Sequence, residues 1–240
     1  MISVSIDIGN TRIKAGIFED DKLQSVFHFE NIDGLKLYCN DLPSLTPVII
    51  SSVTNDDLNS FYHRLTNLLI LDHTIPLPIN NKYETPETLG KDRLAAVIGA
   101  ALLFENKNNL VIDIGTCIKY DFIDLNKVYE GGSISPGIDI KFKALNHFTD
   151  KLPLIDKHNT FNEKGYSTNK AILSGVMFGT LSEIKGFIEA FSNKYEDLQV
   201  ILTGGDAPYF VDKYKGAIFA EPDLILKGLY EILKYNAPKP

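Results

Sequence analysis

Two segments, one near the start of the chain and one near its middle, carry the residue types that bind phosphate groups. The first reads Asp7-Ile-Gly-Asn-Thr11 and is followed by Lys14; the second reads Asp113-Ile-Gly-Thr116. Each combines a carboxylate at a predicted strand end with a glycine at the turn, where backbone N–H groups become available. A phosphate tail and its Mg²⁺ require such amide and hydroxyl contacts, a fixed cation and a carboxylate. Alone, either segment fits an ordinary hairpin turn, but the repetition favours phosphate binding.

A third segment, Gly90-Lys-Asp-Arg93, places an acid beside a base at the start of a predicted helix. An aspartate there can accept or orient the proton of a substrate hydroxyl, while an arginine holds an anionic group, as phosphoryl transfer requires. In another interpretation, Asp92 is merely favoured by the positive end of the helix dipole and Arg93 is solvated. The spacing alone leaves both interpretations open.

Two glycine turns, Gly131-Gly-Ser-Ile-Ser-Pro-Gly137 and Leu202-Thr-Gly-Gly-Asp-Ala207, would let the backbone approach a ligand closely. The second follows a predicted buried strand, where an α/β protein is expected to bind a nucleotide. Plain loops with two glycines are an equally good explanation. The chain has neither a GxGxxG fingerprint nor a GxxxxGK[ST] loop, and its five histidines lack zinc-ligand spacing.

Strands that alternate with helices must position these segments, which favours an α/β fold. Hydrophobic patterns predict strands at 2–8, 13–18, 23–29, 47–53, 110–114, 118–124, 127–133 and 199–203, and helices after Thr54 and over 94–102, 171–195 and 222–235. The repeat of strand, Asp-Ile-Gly and strand predicts a duplicated domain whose halves face each other across a ligand cleft. We expect the halves at 1–108 and 109–240.

The composition is typical of a globular protein, with 240 residues, 44% hydrophobic and 23% charged. A net charge of −7 without a Lys/Arg run argues against nucleic acid or an anionic membrane as a partner. No apolar stretch approaches the roughly 18 to 20 residues of a membrane span, and the chain opens without a basic signal region, so we expect a cytoplasmic protein. Cys39 and Cys117 fit no metal or redox spacing, which favours a reducing compartment.

Taken together, these residues resemble the type III pantothenate kinases, a family of the acetate kinase, sugar kinase, Hsp70 and actin superfamily. The resemblance covers nearly the whole chain. It rests on ordered blocks at residues 7–14, Tyr83, 90–93, 113–116, 131–137, 167–175 and 203–207. Each block is weak alone, whereas their order is specific. The resemblance implies two RNase H-like (actin-like ATPase) halves with an active-site cleft between them, and a homodimer.

The resemblance also implies the reaction and its residues. ATP would phosphorylate the primary hydroxyl of pantothenate to 4′-phosphopantothenate, the first step of coenzyme A biosynthesis, with Mg²⁺ and a monovalent cation (K⁺ or NH₄⁺). The residues implied for ATP are Asp7, Ile8, Gly9, Asn10, Thr11, Arg12, Ile13, Lys14 and Thr116. Those implied for pantothenate are Tyr83, Gly90, Lys91, Asp92, Arg93 and Thr168. Asp92 would be the catalytic proton acceptor, and Asp113 would ligate the monovalent cation.

Three positions depart from the family pattern: Lys91, Ala96 and Lys119 stand where relatives commonly have alanine, asparagine and a small polar residue. Lys119 has the clearest physical consequence. The simpler expectation is that Lys119 points outward and covers the sheet with its aliphatic stem. Alternatively, Lys119 faces the cleft, and its ammonium offsets part of the charge that K⁺ neutralises beside Asp113.

Two other functions are compatible with the sequence. One is a kinase or phosphatase of the same superfamily with a different substrate, which a panel of pantothenate, sugars and acetate would distinguish. The other is a non-catalytic regulator or binding protein on the same fold, related to accessory transcription factors. A regulator would be expected to lose the acid of the Gly-x-Asp-Arg segment, and this chain retains Asp92.

Overall fold

The computed structural model describes residues 2–54, 58, 61, 65–214 and 218–238. The strands are β1 (Ile2–Ile8), β2 (Ile13–Glu19), β3 (Lys22–Phe29), β4 (Val48–Ser52), β5 (Leu68–Ile70), β6 (Asn80–Asn81), β7 (Asn108–Ile114), β8 (Cys117–Ile123), β9 (Val128–Pro136), β10 (Leu198–Thr203) and β11 (Ile218–Ala220). The helices are α1 (Ile32–Asp41), α2 (Lys91–Leu103), α3 (Ile138–His147), α4 (Thr168–Leu173), α5 (Gly179–Ser192) and α6 (Leu224–Tyr235). Most of the helix predicted after Thr54 lies outside the described residues.

The chain divides into two compact units. Unit 1 comprises Met1–Asn106, Leu125–Glu130 and Asp223–Pro240; unit 2 comprises Lys107–Asp124 and Gly131–Pro222. The units differ from the predicted halves, 1–108 and 109–240, mainly at residues 125–130 and 223–240. These segments group with the N-terminal elements because α6 packs on α2 and because Val128 and Tyr129 pair with β6.

The sheets of the two units have the same topology. In unit 1 the strand order is β3-β2-β1-β4-β5, with β1, β2 and β3 antiparallel and with β4 and β5 parallel to β1. The second sheet repeats the order as β9-β8-β7-β10-β11, again with an antiparallel hairpin and two parallel strands after it, and has β6 as a sixth strand beside β9. This repetition confirms the predicted duplicated α/β fold.

The core of unit 1 explains why β1 and β2 form where the sequence alternates. Val4, Ile6 and Ile8 point to one face of the sheet and are almost completely buried, together with Leu35 and Cys39 of α1. Helix α1 was not predicted, although Asn31 is a typical N-cap whose side chain accepts the Gly34 N–H at 2.9 Å. Elements α3, β5, β6 and β11 were not predicted either.

Helices α2 and α6 pack so closely in unit 1 that their backbones touch. An ideal Cβ at Gly228 of α6 would lie 1.8 Å from the Ala95 carbonyl oxygen, and one at Gly99 of α2 would lie 2.5 Å from the Leu224 carbonyl oxygen. Helix α6 also packs on β2, where the Tyr230 ring stacks on Phe18 with a centroid distance of 4.1 Å. These contacts anchor the start of α2, which carries the predicted acid.

A continuous helical run in unit 2 corrects one expectation from the sequence. Residues Thr168–Ser192, which include α4, a π-helical turn at Ser174–Phe178 and α5, are long and apolar enough to cross a membrane by length and composition. The expectation that no stretch approaches that length is therefore wrong. However, core helices of soluble proteins meet the same criterion, and here Met177 and Ile184 are buried in the core of unit 2.

Candidate functional site

The first predicted phosphate loop is the turn between β1 and β2. Residues 9–12 form this turn, which is closed by a 3.0 Å hydrogen bond from the Gly9 N–H to the Arg12 carbonyl. The side chains of Asn10, Thr11 and Arg12 are exposed. Ile8 and Ile13 are buried in the core, so these two predicted residues would reach a nucleotide only through their backbone.

Asp7 and Lys14 lie opposite each other in the β1–β2 register, one pair before the turn. The Ser51 hydroxyl on β4 donates to Asp7 Oδ1 at 3.3 Å. Lys14 Nζ lies 3.5 Å from Oδ1 of Asp223, the residue that precedes α6. The Lys14 ammonium is therefore anchored on α6 while it remains partly exposed beside the turn.

The second predicted phosphate loop closes the β7–β8 hairpin of unit 2. Gly115 N–H donates to the Cys117 carbonyl at 3.1 Å, and Thr116 is exposed at the tip. Gly137 N–H donates to the Thr116 carbonyl at 3.1 Å, and an ideal Cβ at Gly137 would lie 2.3 Å from that oxygen. Residues 131–136 belong to β9, so the predicted glycine turn is wrong for that part of the segment. Glycine is required at 137, where the chain leaves β9, because this residue packs on the loop backbone.

The glycine turn that follows β10 also packs on this loop. Gly204 has a φ of +92°, and an ideal Cβ there would lie 2.4 Å from Asp113 Oδ1 and from the Ile114 carbonyl oxygen. At the end of the turn, Asp206 accepts a hydrogen bond from Lys157 Nζ at 2.8 Å. Burial lowers the pKa of Lys157, but contacts with Asp206 and Asp139 outweigh burial and raise it. These interactions hold the glycine turn after β10 beside the second loop.

Asp113 forms an ion pair with Lys119. The two residues lie opposite each other in the β7–β8 register, and Lys119 Nζ donates to Asp113 Oδ2 at 2.7 Å. The side chains are only 10% and 17% exposed, respectively. The expectation that Lys119 points outward is therefore wrong. The Lys119 side chain turns toward Asp113 because a carboxylate attracts a cationic hydrogen-bond donor. The Lys119 ammonium therefore binds the Asp113 carboxylate, which the resemblance implies as the ligand of a monovalent cation.

The predicted proton acceptor lies in the first turn of α2. Asp92 Oδ1 accepts a hydrogen bond from the Arg93 backbone N–H at 2.9 Å. An ideal Cβ at Gly90, the N-cap of α2, would lie 2.6 Å from the same oxygen. Glycine therefore provides the space in which the Asp92 carboxylate folds back over the helix start. The positive end of the helix dipole favours a negative charge there.

Arg93 is buried rather than solvated, which excludes that part of the simpler interpretation. Its residue exposure is only 5%, and its guanidinium contacts Tyr83 through a 3.4 Å hydrogen bond to the hydroxyl. The Tyr83 ring stacks on Tyr129, with centroids 6.2 Å apart. Lys91 Nζ donates to the Ser52 carbonyl at 3.2 Å. The structure thus brings Tyr83 to the start of α2, whereas its contact with pantothenate stays a prediction.

Thr168 and Thr116 belong to unit 2, whereas the other residues implied for pantothenate and ATP belong to unit 1. Thr168 is the exposed first residue of α4, after the N-cap Ser167, whose hydroxyl accepts the Lys170 N–H at 3.4 Å. Contributions of these two threonines to the same sites as the unit 1 residues stay predictions.

Unit 2 also contains a partly buried polar network that no local sequence motif indicated. Glu183 of α5 accepts hydrogen bonds from the Tyr120 hydroxyl at 2.8 Å, from Lys141 Nζ at 2.7 Å and from the Ser135 hydroxyl. Burial raises the pKa of Glu183, but the three donors outweigh burial, so its pKa lies below the ordinary value of 4.5. Because Ser135 lies near the end of β9, the network connects that strand to α5.

The chain matches known proteins over nearly its full length. Residues 3–190 match the family model for type III pantothenate kinase. The chain is 45% identical over 236 residues to a type III pantothenate kinase of Cytophaga hutchinsonii, which covers 98% of this chain and 100% of that protein. A type III pantothenate kinase of Phocaeicola vulgatus is 44% identical, with 98% and 99% covered.

Solved structures with lower identity share the fold. A Campylobacter jejuni protein assigned to the Baf family of transcriptional activators is 22% identical, with a TM-score of 0.65 and coverage of 97% of this chain and 98% of that one. A ROK family glucokinase from Streptomyces griseus, solved with glucose and AMPPNP, is 10% identical, with a TM-score of 0.54 and coverage of 98% and 100%. At these identities the likeness concerns the fold alone.

Proposed function

The chain belongs to the type III pantothenate kinase family, and we infer that it phosphorylates pantothenate with ATP in the first step of coenzyme A biosynthesis. The observation that carries this inference is 45% identity over 98% of the chain to a protein with that name. The family resemblance inferred from the ordered sequence blocks is thereby confirmed. The Asp92 carboxylate, which a non-catalytic regulator would be expected to lack, is present at the start of α2.

We propose that Asp92 accepts the proton of the pantothenate primary hydroxyl. As the hydroxyl oxygen forms its bond to the γ-phosphorus, the bond from that phosphorus to the β,γ-bridging oxygen breaks and ADP leaves. Support comes from the 2.9 Å hydrogen bond that fixes Asp92 Oδ1 and from the buried guanidinium of Arg93 in the same turn. A buried, always protonated guanidinium is suited to hold the pantothenate carboxylate.

We propose that the phosphate tail of ATP binds at the turn formed by residues 9–12, beside Lys14, and that Thr116 also contacts ATP. Support comes from the exposed donors of Asn10 and Thr11, and from the partly exposed ammonium of Lys14. Asn10 and Thr11 supply hydrogen bonds to the phosphate oxygens, and Lys14 supplies a fixed charge.

The donors beside this turn fit a Mg²⁺ ion that is bound together with the nucleotide. Within the described residues, no group of three or more His, Cys, Asp and Glu side chains could hold a metal ion by itself. Mg²⁺ at phosphate sites takes one or two protein carboxylates and completes its shell with phosphate oxygens and water, so Asp7 would suffice as its protein ligand. When bound, the ion neutralises phosphate charge during transfer.

We also propose that the protein is a cytoplasmic homodimer. Support comes from large apolar side chains of unit 2 that are strongly exposed in the single chain, notably Phe148 at 81% and Tyr166 at 83%. Exposed apolar surface of this kind is frequent where proteins associate. Analytical ultracentrifugation at assay concentrations tests the proposal, since a fully active monomer would exclude a site shared between subunits.

A coupled assay for ADP release tests the kinase reaction. We expect ADP release that depends on pantothenate and that glucose, N-acetylmannosamine or acetate does not replace. Release with one of these other acceptors alone would indicate a different kinase of the superfamily. Release with none of them would favour the non-catalytic regulator.

A further inference from the structure

We propose that Lys119 supplies, from within the protein, the positive charge that a monovalent cation would supply at Asp113. On this proposal, phosphoryl transfer by this chain does not require added K⁺ or NH₄⁺. The inference rests on the proposed kinase function and goes beyond it, because it concerns which cation serves the second phosphate loop.

The geometry of the ion pair carries the inference. Asp113 is the last residue but one of β7, directly before the Gly115–Thr116 turn, so its carboxylate lies at the base of the predicted phosphate loop. Lys119 Nζ lies 2.7 Å from Asp113 Oδ2, which is the distance of a direct charge-assisted hydrogen bond. Both side chains are largely shielded from water, so the pair is screened less than a surface pair.

A monovalent cation does not fit on this carboxylate while Lys119 is in place. An ion that coordinated Oδ2 would lie in van der Waals range of the ammonium, and like charges so close repel strongly in a partly buried site. On the other side, Asp113 Oδ1 faces the backbone of Gly204, where even a Cβ atom would lie only 2.4 Å away. The residues around the Asp113 carboxylate therefore do not fit the monovalent-cation site that the resemblance implies.

The register of β7 and β8 places the two side chains side by side. Asp113 and Lys119 are direct antiparallel partners, so their side chains emerge on the same face of the sheet. On the same strand, the backbone of Asp121 packs against Gly132, at which an ideal Cβ would lie 2.9 Å from the Asp121 Cα. The strand that carries Lys119 is thus held in place from both sides.

The test compares the wild type with Lys119→Thr over a KCl titration in a buffer free of Na⁺ and NH₄⁺, with tetramethylammonium chloride holding the ionic strength constant. For the wild type we expect the same pantothenate-dependent rate at all K⁺ concentrations. For Lys119→Thr we expect a loss of about tenfold or more without K⁺ and recovery as K⁺ is added, because removal of the fixed charge leaves the carboxylate to the ion. Lys185→Thr, at an exposed position of α5, is the matched control and should behave like the wild type.

Thermal unfolding in KCl and in tetramethylammonium chloride gives a readout that does not require catalysis. We expect K⁺ to raise the Tm of Lys119→Thr and to leave the wild type unchanged, since a ligand that binds only the folded state stabilises it. Three results would each overturn the proposal. They are a wild type that requires K⁺, superimposable K⁺ titrations of the wild type and Lys119→Thr, and a folded Lys119→Thr whose activity K⁺ does not restore. A wild type without pantothenate-dependent activity at saturating K⁺ would overturn the kinase function instead, and the Tm comparison would still decide where the cation binds.

Discussion

Asp92 and Arg93 are joined by a 2.9 Å hydrogen bond in which the Arg93 backbone N–H donates to the Asp92 carboxylate at the start of α2. The side-chain oxygen of an asparagine can accept the same bond, but asparagine cannot take a proton from a hydroxyl at neutral pH. We therefore expect Asp92→Asn to fold normally and to lose about 10² to 10⁴-fold in kcat. Steady-state kinetics with circular dichroism would measure both properties.

The matched control for Asp92→Asn is Asp33→Asn, which changes an exposed acid in the first turn of α1. This variant removes a similar interaction with a helix dipole and should keep wild-type kcat. Near-normal turnover of purified Asp92→Asn would remove Asp92 from the reaction while leaving the family assignment intact.

Lys14 is expected to act on the nucleotide rather than on the acceptor. Its ammonium lies beside the turn at residues 9–12 and is held by Asp223. Lys14→Met should raise KM for ATP about 10-fold to 100-fold, because a hydrogen bond to a charged group contributes about 1.5–3 kcal/mol. KM for pantothenate should stay within about twofold of the wild-type value.

The control for this prediction is Lys22→Met, which removes an exposed lysine from β3. A parallel increase in both KM values for Lys14→Met would contradict a specific role at the phosphate tail. Such a result would point instead to a change in the anchoring of α6.

The Glu183 network makes stability depend on pH in a defined direction. The folded-state pKa of Glu183 lies below 4.5, so ionised Glu183 stabilises the fold above that pH, and its contribution is lost as the pH falls through the lower folded-state pKa. Glu183→Gln should therefore lower the free energy of unfolding near neutral pH. The difference from the wild type should shrink below about pH 4.5.

Urea unfolding between about pH 3.5 and 7 would measure this difference. Glu189→Gln, at an exposed position of the same helix, should show no comparable pH dependence. A difference between Glu183→Gln and the wild type that stays constant over this range would mean that ionisation of Glu183 does not support the fold.

The contact between α2 and α6 predicts a large effect from one added methyl group. Gly228→Ala would place a Cβ 1.8 Å from the Ala95 carbonyl oxygen, so one of the helices must shift. We expect a loss of about 1–3 kcal/mol in the free energy of unfolding. Gly186→Ala is the matched control, because a Cβ there meets nothing within 4 Å and alanine favours the helix by about 0.5–1 kcal/mol. Equal stabilities of the two variants would contradict close packing at Gly228.

The features that sequence analysis found are those encoded within a few neighbouring residues. The Asp-Ile-Gly echo predicted the duplication because each copy contains its own strand, turn and strand. The direction of Lys119 was missed because alternation fixes the face of a side chain and not its partner. The Glu183 network was missed because its residues are far apart in sequence, with Glu183 following Ser135 by 48 positions.

The burial of Arg93 was also beyond the local pattern. A charged residue in a first helical turn is usually solvated, whereas tertiary packing, which includes the approach of Tyr83, buries this one. Close approach of the glycine segments at 131–137 and 203–207 to a ligand stays a prediction. In the structure, Gly137 and Gly204 pack against the carbonyl oxygens of Thr116 and Ile114 in the second loop, and Gly132 packs against the Tyr120 carbonyl oxygen.

The packing of α6 affects the order in which the two units can fold during translation. Helix α6 covers α2 and β2 of unit 1, yet it is translated after all of unit 2. Domains usually fold as units during synthesis, with the N-terminal one first. Here all elements of unit 2 have been synthesised while unit 1 still lacks its last helix. At that stage Gly228 and Tyr230 do not yet cover Ala95 and Phe18. Synthesis from the N-terminus to the C-terminus therefore favours folding of unit 2 before unit 1 is complete.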